Sequence, residues 1–280
     1  MQGKNVLITG ATRGLGLAVA RELWQRGANL AIAARESKAL RGVETTLGTR
    51  ASQQLHVLAA DLLDPAAPER LVTELRKRWD RLDALVNNAG MVGPVGPLWD
   101  NDWRAWQDTI QVNLLAPVNL CRLCMGWMAA GGSIVNLSGG GATSPRPNFS
   151  AYATAKAAIV RFTENLAVEA AGRRIRVNAV APGPMNTQML EAVLRAGSES
   201  AGGEYQKALE QKDKGGVPPE NAAALVGYLV SEESRGISGR LISAVWDPWK
   251  NLTDHAEDLR STDIYTLRRI TPEDRGKDWK

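Results

Sequence analysis

The sequence has few of the residues that build disulfides, metal sites and membrane spans. Among its 280 residues are two cysteines and two histidines. Cys121 and Cys124 form a single C-x-x-C with no second pair, and His56 and His255 stand in different segments, so a zinc site would lack ligands. No apolar run approaches the ~18 residues of a membrane-spanning helix. We therefore expect no metal site and no membrane segment, and two cysteines buried in an apolar helix.

A charge of one sign is also missing. The chain carries 34 lysines and arginines against 30 aspartates and glutamates. Because the two signs are interleaved, a mixed solvated surface explains them better than a stripe that binds nucleic acid. No aromatic-rich RNA-reading motif accompanies the basic residues. The chain also opens on a polar-flanked strand instead of a charged and apolar leader. These observations predict a cytoplasmic protein that binds neither nucleic acid nor membrane.

Short apolar runs alternate with helical patterns along most of the chain. We expect strands at 4–8, 29–34, 55–60, 82–86, 132–137, 176–181 and 240–245. Helices are expected at 65–79, at 102–128 with an interruption near Pro117, at 152–171 and at 218–230, while 185–216 reads as an irregular substrate loop. This alternation is typical of an α/β fold with a doubly wound parallel sheet of the Rossmann type. Residues 1–245 would form one domain, followed by a C-terminal extension, 246–280.

A glycine-rich turn follows the first predicted strand. Gly10, Gly14 and Gly16 give the spacing G-x-x-x-G-x-G, and a helical pattern comes next. Backbone N–H groups at the start of such a helix can hold a pyrophosphate, and glycines let the ligand approach the backbone. The spacing is not the G-x-G-x-x-G of other dinucleotide folds. In its strand-turn-helix setting, it predicts a dinucleotide site.

The end of the second strand indicates which dinucleotide binds. Ala34 stands where an acidic residue would accept from the ribose 2′-hydroxyl, and Arg35 follows it. Arg13, in the glycine turn, adds a second cation that suits a 2′-phosphate. Glu36 is the competing residue, although a carboxylate that opens a helix is better placed against the helix dipole. The sequence favours NADP(H) and leaves NAD(H) open.

Tyr152 and Lys156 are four positions apart in the helix expected at 152–171. Residues at i and i+4 share a helix face, so the phenol and the ammonium would point at one place. A free tyrosine has a pKa of ~10, and a neighbouring cation lowers that value by favouring the phenolate. Tyr152 is therefore a candidate acid/base.

In their order and spacing, these motifs resemble the short-chain dehydrogenase/reductase family. The resemblance covers residues 4–245 and includes three further features. They are Asn87-Asn88-Ala89-Gly90, the pair of Asn113 and Ser138, and Pro182-Gly183 with Thr187. It implies an NAD(P)-dependent oxidoreductase that interconverts a ketone and a secondary alcohol, acts on a small molecule and forms a homodimer or homotetramer.

The resemblance also implies roles for individual residues. Tyr152 would be the general acid/base, and Lys156 would lower its pKa and bind the nicotinamide ribose. Asn113 would hold a water that relays protons to Lys156, and Ser138 would donate to the substrate oxygen. Asp61 would contact the adenine, Asn88 a ribose and Thr187 the carboxamide. The implied cofactor contacts are Gly10, Thr12, Arg13, Gly14, Leu15, Gly16, Arg35, Asp61, Leu62, Asn88, Ala89, Gly90, Tyr152, Lys156, Pro182, Gly183 and Thr187.

The catalytic serine departs from the family pattern. Relatives carry it 13 positions before the tyrosine, which is Gly139 here, whereas Ser138 is one position earlier. Either the loop holds an extra residue and Ser138 curls into the site, or Thr143 or Ser144 supplies the hydroxyl. We expect Ser138, since three consecutive glycines allow that adjustment. The displaced serine also leaves open an alternative function, a dinucleotide-binding sensor or scaffold without turnover.

The extension 246–280 is the second departure from the family. Its apolar residues are spread among charges, which is too apolar a pattern for plain disorder. We expect it to pack on the body or on a neighbouring subunit, with Trp246 and Trp249 as anchors. Within 185–216, Lys207, Lys212 and Lys214 would suit an anionic substrate, although solvated helix charges explain them better.

Overall fold

The computed structural model describes residues 1–279, apart from the side chains of Ser37 and Gln188. Seven strands form one sheet in the order β3-β2-β1-β4-β5-β6-β7, and every neighbouring pair is parallel. This confirms the predicted doubly wound sheet in a single domain. The strands are β1 (Asn5–Thr9), β2 (Asn29–Ala34), β3 (Leu55–Ala59), β4 (Leu82–Asn87), β5 (Met128–Leu137), β6 (Arg176–Ala181) and β7 (Leu241–Ser243). The helices are α1 (Gly14–Gln25), α2 (Ser37–Leu47), α3 (Ala67–Arg76), α4 (Trp103–Ile110), α5 (Ala116–Met125), α6 (Ser150–Glu169), α7 (Gln188–Ala201), α8 (Gly203–Lys214), α9 (Pro219–Val230) and α10 (Ala256–Ser261).

Both faces of the sheet are buried under helices. Val6 and Ile8 of β1 face one cluster, which includes α1 and α9, while Leu7 between them faces a second cluster, which includes α3 and α5. Successive side chains of a strand point to opposite faces, so each face needs its own apolar set. This double burial explains why the strands read as continuous apolar runs in the sequence.

The segment 185–216 corrects one prediction, because it is helical and not irregular. It forms α7 and α8, with Gly197 (φ 78°) as a kink inside α7 and Gly202 (φ 55°) between the helices. Val193 and Ala208 are buried in a cluster with Phe149. Burial of such apolar side chains outweighs the low helix propensity of the glycines.

The helical segment predicted at 102–128 is present, but its irregularity precedes Pro117. Gln111–Leu115 forms a π-helical turn between α4 and α5. Pro117 lies in the first turn of α5, directly after the π-helical turn. Strand β5 begins earlier than predicted, at Met128, with a register shift opposite Leu82 and Ala84.

The C-terminal extension lies against the body of its own chain. Leu252 and Leu259 are buried in the cluster that includes α1 and α9. Arg240, which precedes β7, is buried and donates to the backbone carbonyls of Leu259, Thr262 and Ile264. These contacts hold the extension as far as Ile264 without a second subunit.

Of the two predicted tryptophan anchors, Trp249 contacts the body of the chain and Trp246 does not. Trp249 packs on Tyr228, with ring centroids 5.7 Å apart. Trp246, however, is 71% exposed, so it anchors nothing in this chain. The two leucines, spaced by two helical turns, make the main apolar contacts instead.

The structure bears on the two cysteines and on the predicted lack of a membrane segment. Cys121 and Cys124 are buried in α5 as free thiols, as expected, and burial raises the pKa of both. Among residues 1–279, no helix has the length and apolar character to cross a bilayer.

Candidate active site

The predicted site residues come together at the carboxyl edge of the sheet. The strand order reverses between β1 and β4, and such a reversal leaves a crevice where ligands bind in open α/β sheets. The segments that follow β1, β4, β5 and β6 meet there. They bring Gly10, Asn88, Gly139 and Gly183 to one edge.

The glycine turn after β1 is built for close backbone contact. Gly10 has φ 68°, and a Cβ there would lie 2.8 Å from Ala89 Cα. A Cβ on Gly16 would overlap the carbonyl oxygen of Gly10 and the amide nitrogen of Asn88. Gly14 has φ 51° and begins α1. Larger residues would force the turn apart, so these glycines form a cradle of backbone N–H groups at a helix start.

Asn88 stabilises this turn, a role that differs from the ribose contact we expected. Its Nδ2 donates to the carbonyl oxygens of Thr9 and Gly10, at 2.9 and 3.0 Å. The Thr9 hydroxyl accepts in turn from the backbone N–H groups of Asn88 and Ala89, each at 3.1 Å. Both amide hydrogens of Asn88 are thus used within the protein, and only its side-chain carbonyl oxygen is left for a ligand.

The adenosine end of the crevice carries unpaired cations. Arg13 and Arg35 are exposed, and no residue described in the structure pairs with either guanidinium. Glu36 precedes α2 as its N-cap residue, but its side chain makes no cap hydrogen bond. The Asp61 carboxylate accepts from the backbone N–H of Leu63, at 3.1 Å. Two free guanidinium groups next to the glycine turn are suited to a phosphate.

The opposite end of the crevice is closed by the segment after β6. Gly183 has φ 87°, and a Cβ there would lie 2.5 Å from Val245 Cγ2. Thr187 begins α7, and its Cγ2 would lie 3.7 Å from a Cβ on Gly14. The segment 182–187 therefore faces the glycine turn across the crevice.

Tyr152 and Lys156 share a buried face of α6. Each side chain is 4% exposed, and Lys156 Nζ lies 5.6 Å from the centroid of the Tyr152 ring. Lys156 Nζ donates to the carbonyl oxygen of Leu137, at the end of β5, at 2.8 Å. The spacing of four residues has therefore produced the predicted pair.

The acid–base properties of this pair differ from the expectation. Burial raises the pKa of Tyr152 to about 12, and Arg146, not Lys156, is the cation that opposes this rise. Burial lowers the pKa of Lys156 to about 8. Desolvation disfavours the charged form of both groups, and here it outweighs the attraction that we expected between ammonium and phenolate. Tyr152 is thus held in its protonated form at neutral pH.

Asn113 lies in the π-helical turn, directly behind the crevice. Its amide forms a two-way bridge to the backbone of Met91, with Oδ1 accepting at 3.1 Å and Nδ2 donating at 2.8 Å. A Cβ on Gly90 would lie 2.8 Å from Asn113 Oδ1 and 3.7 Å from Lys156 Nζ. π-turns recur at functional sites, and this one brings a buried amide next to the lysine.

The structure places glycine, not serine, against Tyr152. A Cβ on Gly139 would overlap Tyr152 Oη. Ser138 is 3% exposed, and its hydroxyl donates to the carbonyl oxygen of Lys156 at 3.4 Å. Asn136, two residues earlier, also faces α6 and donates to Thr163 Oγ1 at 2.9 Å. Positions two apart share a face, so Ser138 points into the helix contact and away from the phenol. The expected hydrogen bond from Ser138 to substrate is not supported by this arrangement.

Thr143 and Ser144, the alternative donors, lie in the loop between β5 and α6 and are exposed. Neither is part of the buried cluster around Tyr152. The structure therefore brings no serine or threonine of the three candidates into hydrogen-bond contact with the phenol.

Comparison with known proteins agrees with this geometry. A family profile described as short chain dehydrogenase matches residues 4–197. The chain belongs to the short-chain dehydrogenase/reductase family. Its members are oxidoreductases that act on alcohol and carbonyl groups.

Individual relatives cover most of the chain. A protein from Sus scrofa named dehydrogenase/reductase SDR family member 4 is 33% identical over 247 residues, which is 86% of each chain. The 2,3-dihydro-2,3-dihydroxybenzoate dehydrogenase of Bacillus subtilis is 32% identical and covers 85% of this chain and 93% of its own. A variant of actinorhodin polyketide ketoreductase, solved with NADPH, superposes with a TM-score of 0.78 at 27% identity, over 90% of this chain and 100% of its own.

In this short-chain dehydrogenase/reductase, α7 and α8 cover Tyr152. Val193, Ala201 and Ala208 from these helices are buried with Phe149 and Tyr152. An ion pair ties the cover to the β5–α6 loop, since Arg146 Nε lies 2.9 Å from Glu204 Oε2. The sequence analysis did not identify Arg146 or Glu204. Only the position of Arg146 in the glycine-rich loop just before Tyr152 would have suggested it.

From the burial of Lys156, we predict how the stability of the cofactor-free protein depends on pH. A lysine with a lowered folded-state pKa destabilises the fold while it is protonated, and this cost disappears as the pH rises from about 8 towards 10.5. The shift corresponds to ~3 kcal/mol, and loss of the bond to Leu137 offsets ~1 kcal/mol of it. We expect Lys156→Met to raise the free energy of unfolding by ~2 kcal/mol at pH 7.

Urea unfolding of both proteins at several pH values between 7 and 10 measures this difference. We expect the advantage of Lys156→Met to shrink and then reverse as the pH rises, because only the wild-type protein sheds the buried charge. A difference that stays constant over this range would show that burial does not lower the pKa of Lys156.

Proposed function

We propose that this enzyme interconverts a ketone and a secondary alcohol with NADP(H), and that Tyr152 is its general acid/base. The observation that carries the proposal is the convergence of three groups from separate elements. Tyr152 and Lys156 lie side by side on α6, and Asn113 reaches the same spot from the π-helical turn beside Gly90. A phenol, an ammonium and an amide at one buried place are suited to proton transfer to or from an oxygen.

In the direction of reduction, Tyr152 Oη donates its proton to the carbonyl oxygen of the substrate. Tyr152 stays protonated at neutral pH, as a proton donor must, although the rise of its pKa to about 12 on burial makes the phenol a weaker acid than a free tyrosine. The lowered pKa of Lys156 places this lysine near the range in which it can pass a proton on, with Asn113 close to its ammonium. NADP(H), when bound, supplies or accepts the hydride.

The residues present fit such a cofactor. The cradle formed by Gly10 and Gly16 is too tight for a Cβ and leaves backbone N–H groups for a pyrophosphate. Arg13 and Arg35 would hold the 2′-phosphate, and Thr187 the carboxamide. The actinorhodin polyketide ketoreductase variant was solved with NADPH, as was a blue fluorescent protein from a metagenomic library, with a TM-score of 0.73 at 25% identity. Both neighbours support NADPH as the preferred cofactor.

We expect NADPH to bind more than tenfold more tightly than NADH. Charge-assisted hydrogen bonds contribute roughly 1.5–3 kcal/mol each, so one guanidinium contact to the 2′-phosphate suffices. Arg35→Ala should reduce NADPH affinity and leave NADH affinity unchanged. Arg41→Ala is a matched control, because Arg41 is an exposed arginine of α2 further from the strand end.

Calorimetric titration of each variant with both cofactors measures these affinities. Equal affinities for NADPH and NADH in the wild type would contradict the proposed preference. An NADH preference that survives Arg35→Ala would point to Glu36 as the residue that contacts the ribose.

A homodimer or homotetramer is the assembly we propose. Several large apolar side chains stay exposed on the single chain, among them Leu115, Val168 and Trp246. Contact with another subunit would bury such groups. The exposed part of the extension 246–280, including Trp246, is a candidate for that contact.

The alternative function is a dinucleotide-binding sensor or scaffold without turnover. Gly139 favours it, because the position that adjoins Tyr152 Oη carries no hydroxyl. Tight NADPH binding without reduction of any carbonyl compound would support this alternative.

A further inference from the structure

Arg146 is fixed between the catalytic tyrosine and the helices that cover it. Its Nε donates to Glu204 Oε2 on α8 at 2.9 Å. Its guanidinium carbon lies 4.2 Å from the centroid of the Phe149 ring and 5.7 Å from that of Tyr152. Only 20% of the side chain is exposed. Stacking on aromatic rings and an acid from another element hold this arginine in one place, unlike a solvated surface charge.

Most donors of Arg146 are unused. A guanidinium carries five N–H groups in a fixed fork, and the bond to Glu204 uses the one on Nε. Within residues 1–279, neither Nη1 nor Nη2 has a hydrogen-bond partner. A partly buried guanidinium with a free pair of amino groups is ready to bind a planar anion.

The free amino groups lie next to the reacting position. A Cβ on Gly140 would lie 3.7 Å from Arg146 Nη1, and a Cβ on Gly139 would overlap Tyr152 Oη. The guanidinium and the phenol thus adjoin two consecutive glycines, and neither glycine places a side chain between them. The guanidinium carbon is 5.7 Å from the centroid of the Tyr152 ring, so a small substrate whose carbonyl oxygen lies at Tyr152 would bring a second polar group close to Arg146.

The charge around Glu204 favours an incoming anion. Lys207 Nζ lies 2.9 Å from Glu204 Oε1, so one carboxylate serves two cations. Together, Arg146, Lys207 and Glu204 carry a net positive charge beside Tyr152. When an anion binds Arg146, Glu204 keeps Lys207 as its partner, so no charge is left unpaired.

We propose that Arg146 is a specificity-determining residue that binds a carboxylate of the substrate, so the substrates are oxo acids and the corresponding hydroxy acids. In the absence of substrate, Glu204 accepts a hydrogen bond from the guanidinium of Arg146, and it competes with the substrate carboxylate for this group. The planar fork of arginine matches a carboxylate with two parallel hydrogen bonds, whereas a neutral ketone offers no such partner. This inference rests on the proposed oxidoreductase function.

The test compares 2-, 3- and 4-oxo acids with their methyl esters, which lack the negative charge and carry one additional methyl group. Each compound is measured by NADPH oxidation and by calorimetric binding to the full-length protein saturated with NADP⁺. We expect a preference for the acid of at least one chain length. Arg146→Ala should lower kcat/KM and affinity for that acid at least tenfold and change those for its ester by less than about threefold.

Two further variants separate substrate binding from a structural role. Glu204→Gln removes the competitor of the acid, so we expect it to raise the affinity for the acid, the opposite direction from Arg146→Ala. Arg104→Ala is the control, because Arg104 makes an ion pair of the same length, 2.9 Å to Asp108, on the exposed side of α4. Arg104→Ala should change neither kcat/KM nor affinity, for the acid or for the ester.

Three results would overturn the proposal. The first is an acid-to-ester ratio that Arg146→Ala leaves unchanged, and the second is absence of acid binding to the wild-type protein. The third is a shift of acid affinity in the same direction by Arg146→Ala and Glu204→Gln, as expected if their ion pair only fastens the covering helices. Acid binding that depends on Arg146 without any turnover would instead support this inference and contradict the proposed oxidoreductase function.

Discussion

Tyr152→Phe is expected to lower kcat by about 100-fold or more, because it removes the group that transfers the proton. The ring would stay in its buried cluster with Phe149 and Val92, so packing is preserved. NADPH affinity and the melting temperature should therefore change little. Steady-state kinetics, cofactor titration and thermal unfolding of the same preparation measure the three effects.

Tyr228→Phe is the matched control for this variant. Tyr228 is also a buried tyrosine, 5% exposed, and its hydroxyl lies 3.2 Å from Thr253 Oγ1 in the contact with the C-terminal extension. The control should lose some stability and keep its turnover. A Tyr152→Phe enzyme with at least a third of the wild-type kcat would exclude Tyr152 as the acid/base.

A chain that ends at Val245 is expected to lose its cooperative fold. Burial of Leu252 and Leu259 contributes ~1.5–3 kcal/mol each. Arg240 would lose all three of its carbonyl partners and become hydrated, and the net loss of a hydrogen bond to a charged group is ~1.5–3 kcal/mol. Together these effects amount to roughly 4.5–9 kcal/mol, comparable to the whole stability of a domain.

A chain that ends at Gly276 is the control, since it keeps the buried leucines and the partners of Arg240. We expect its unfolding free energy to stay within ~1 kcal/mol of that of the full chain. Circular dichroism during thermal unfolding, together with the mass in solution, compares the two truncations. A cooperative transition at the wild-type temperature after removal of 246–280 would show that the extension contributes no stability.

The sheet could be predicted from the sequence because its cause is local. The central strands bury both faces, so runs such as Val6-Leu7-Ile8 stand out, and a glycine turn follows β1. The segment 185–216 could not be predicted in the same way. Its helices are stabilised by burial of Val193 and Ala208 against Phe149, a contact between distant parts of the chain.

The site shows the same division between local and tertiary causes. The spacing of Tyr152 and Lys156 fixes their shared helix face, so the pair was predictable. The direction of the displaced Ser138 was not predictable, because one residue of offset reverses the direction of a side chain along an extended strand. Ser138 follows Asn136 onto the α6 side, and Gly139 takes the position beside the phenol. Alternation along β5 would have shown this if it had been given more weight than the flexibility of the glycines.

Electrostatics could be predicted least. The pKa values of Tyr152 and Lys156 depend on burial by α7 and α8, which the sequence did not indicate. The role of Glu36 was equally open, because only the cap geometry shows that its side chain does not close α2. Such effects depend on desolvation and on distances between separate elements, so a motif cannot supply them.

Transfer of deuterium from NADPH labelled at nicotinamide C4 tests the central claim most directly. The full-length enzyme is incubated with labelled NADPH and the panel of oxo acids and ketones, and the products are analysed by mass spectrometry. We expect deuterium on the carbon that bears the new hydroxyl group, and at least about 100-fold less of it with Tyr152→Phe in the same time. NADPH that binds tightly but transfers no deuterium to any carbonyl compound would contradict the proposed reaction and identify the protein as a silent dinucleotide binder.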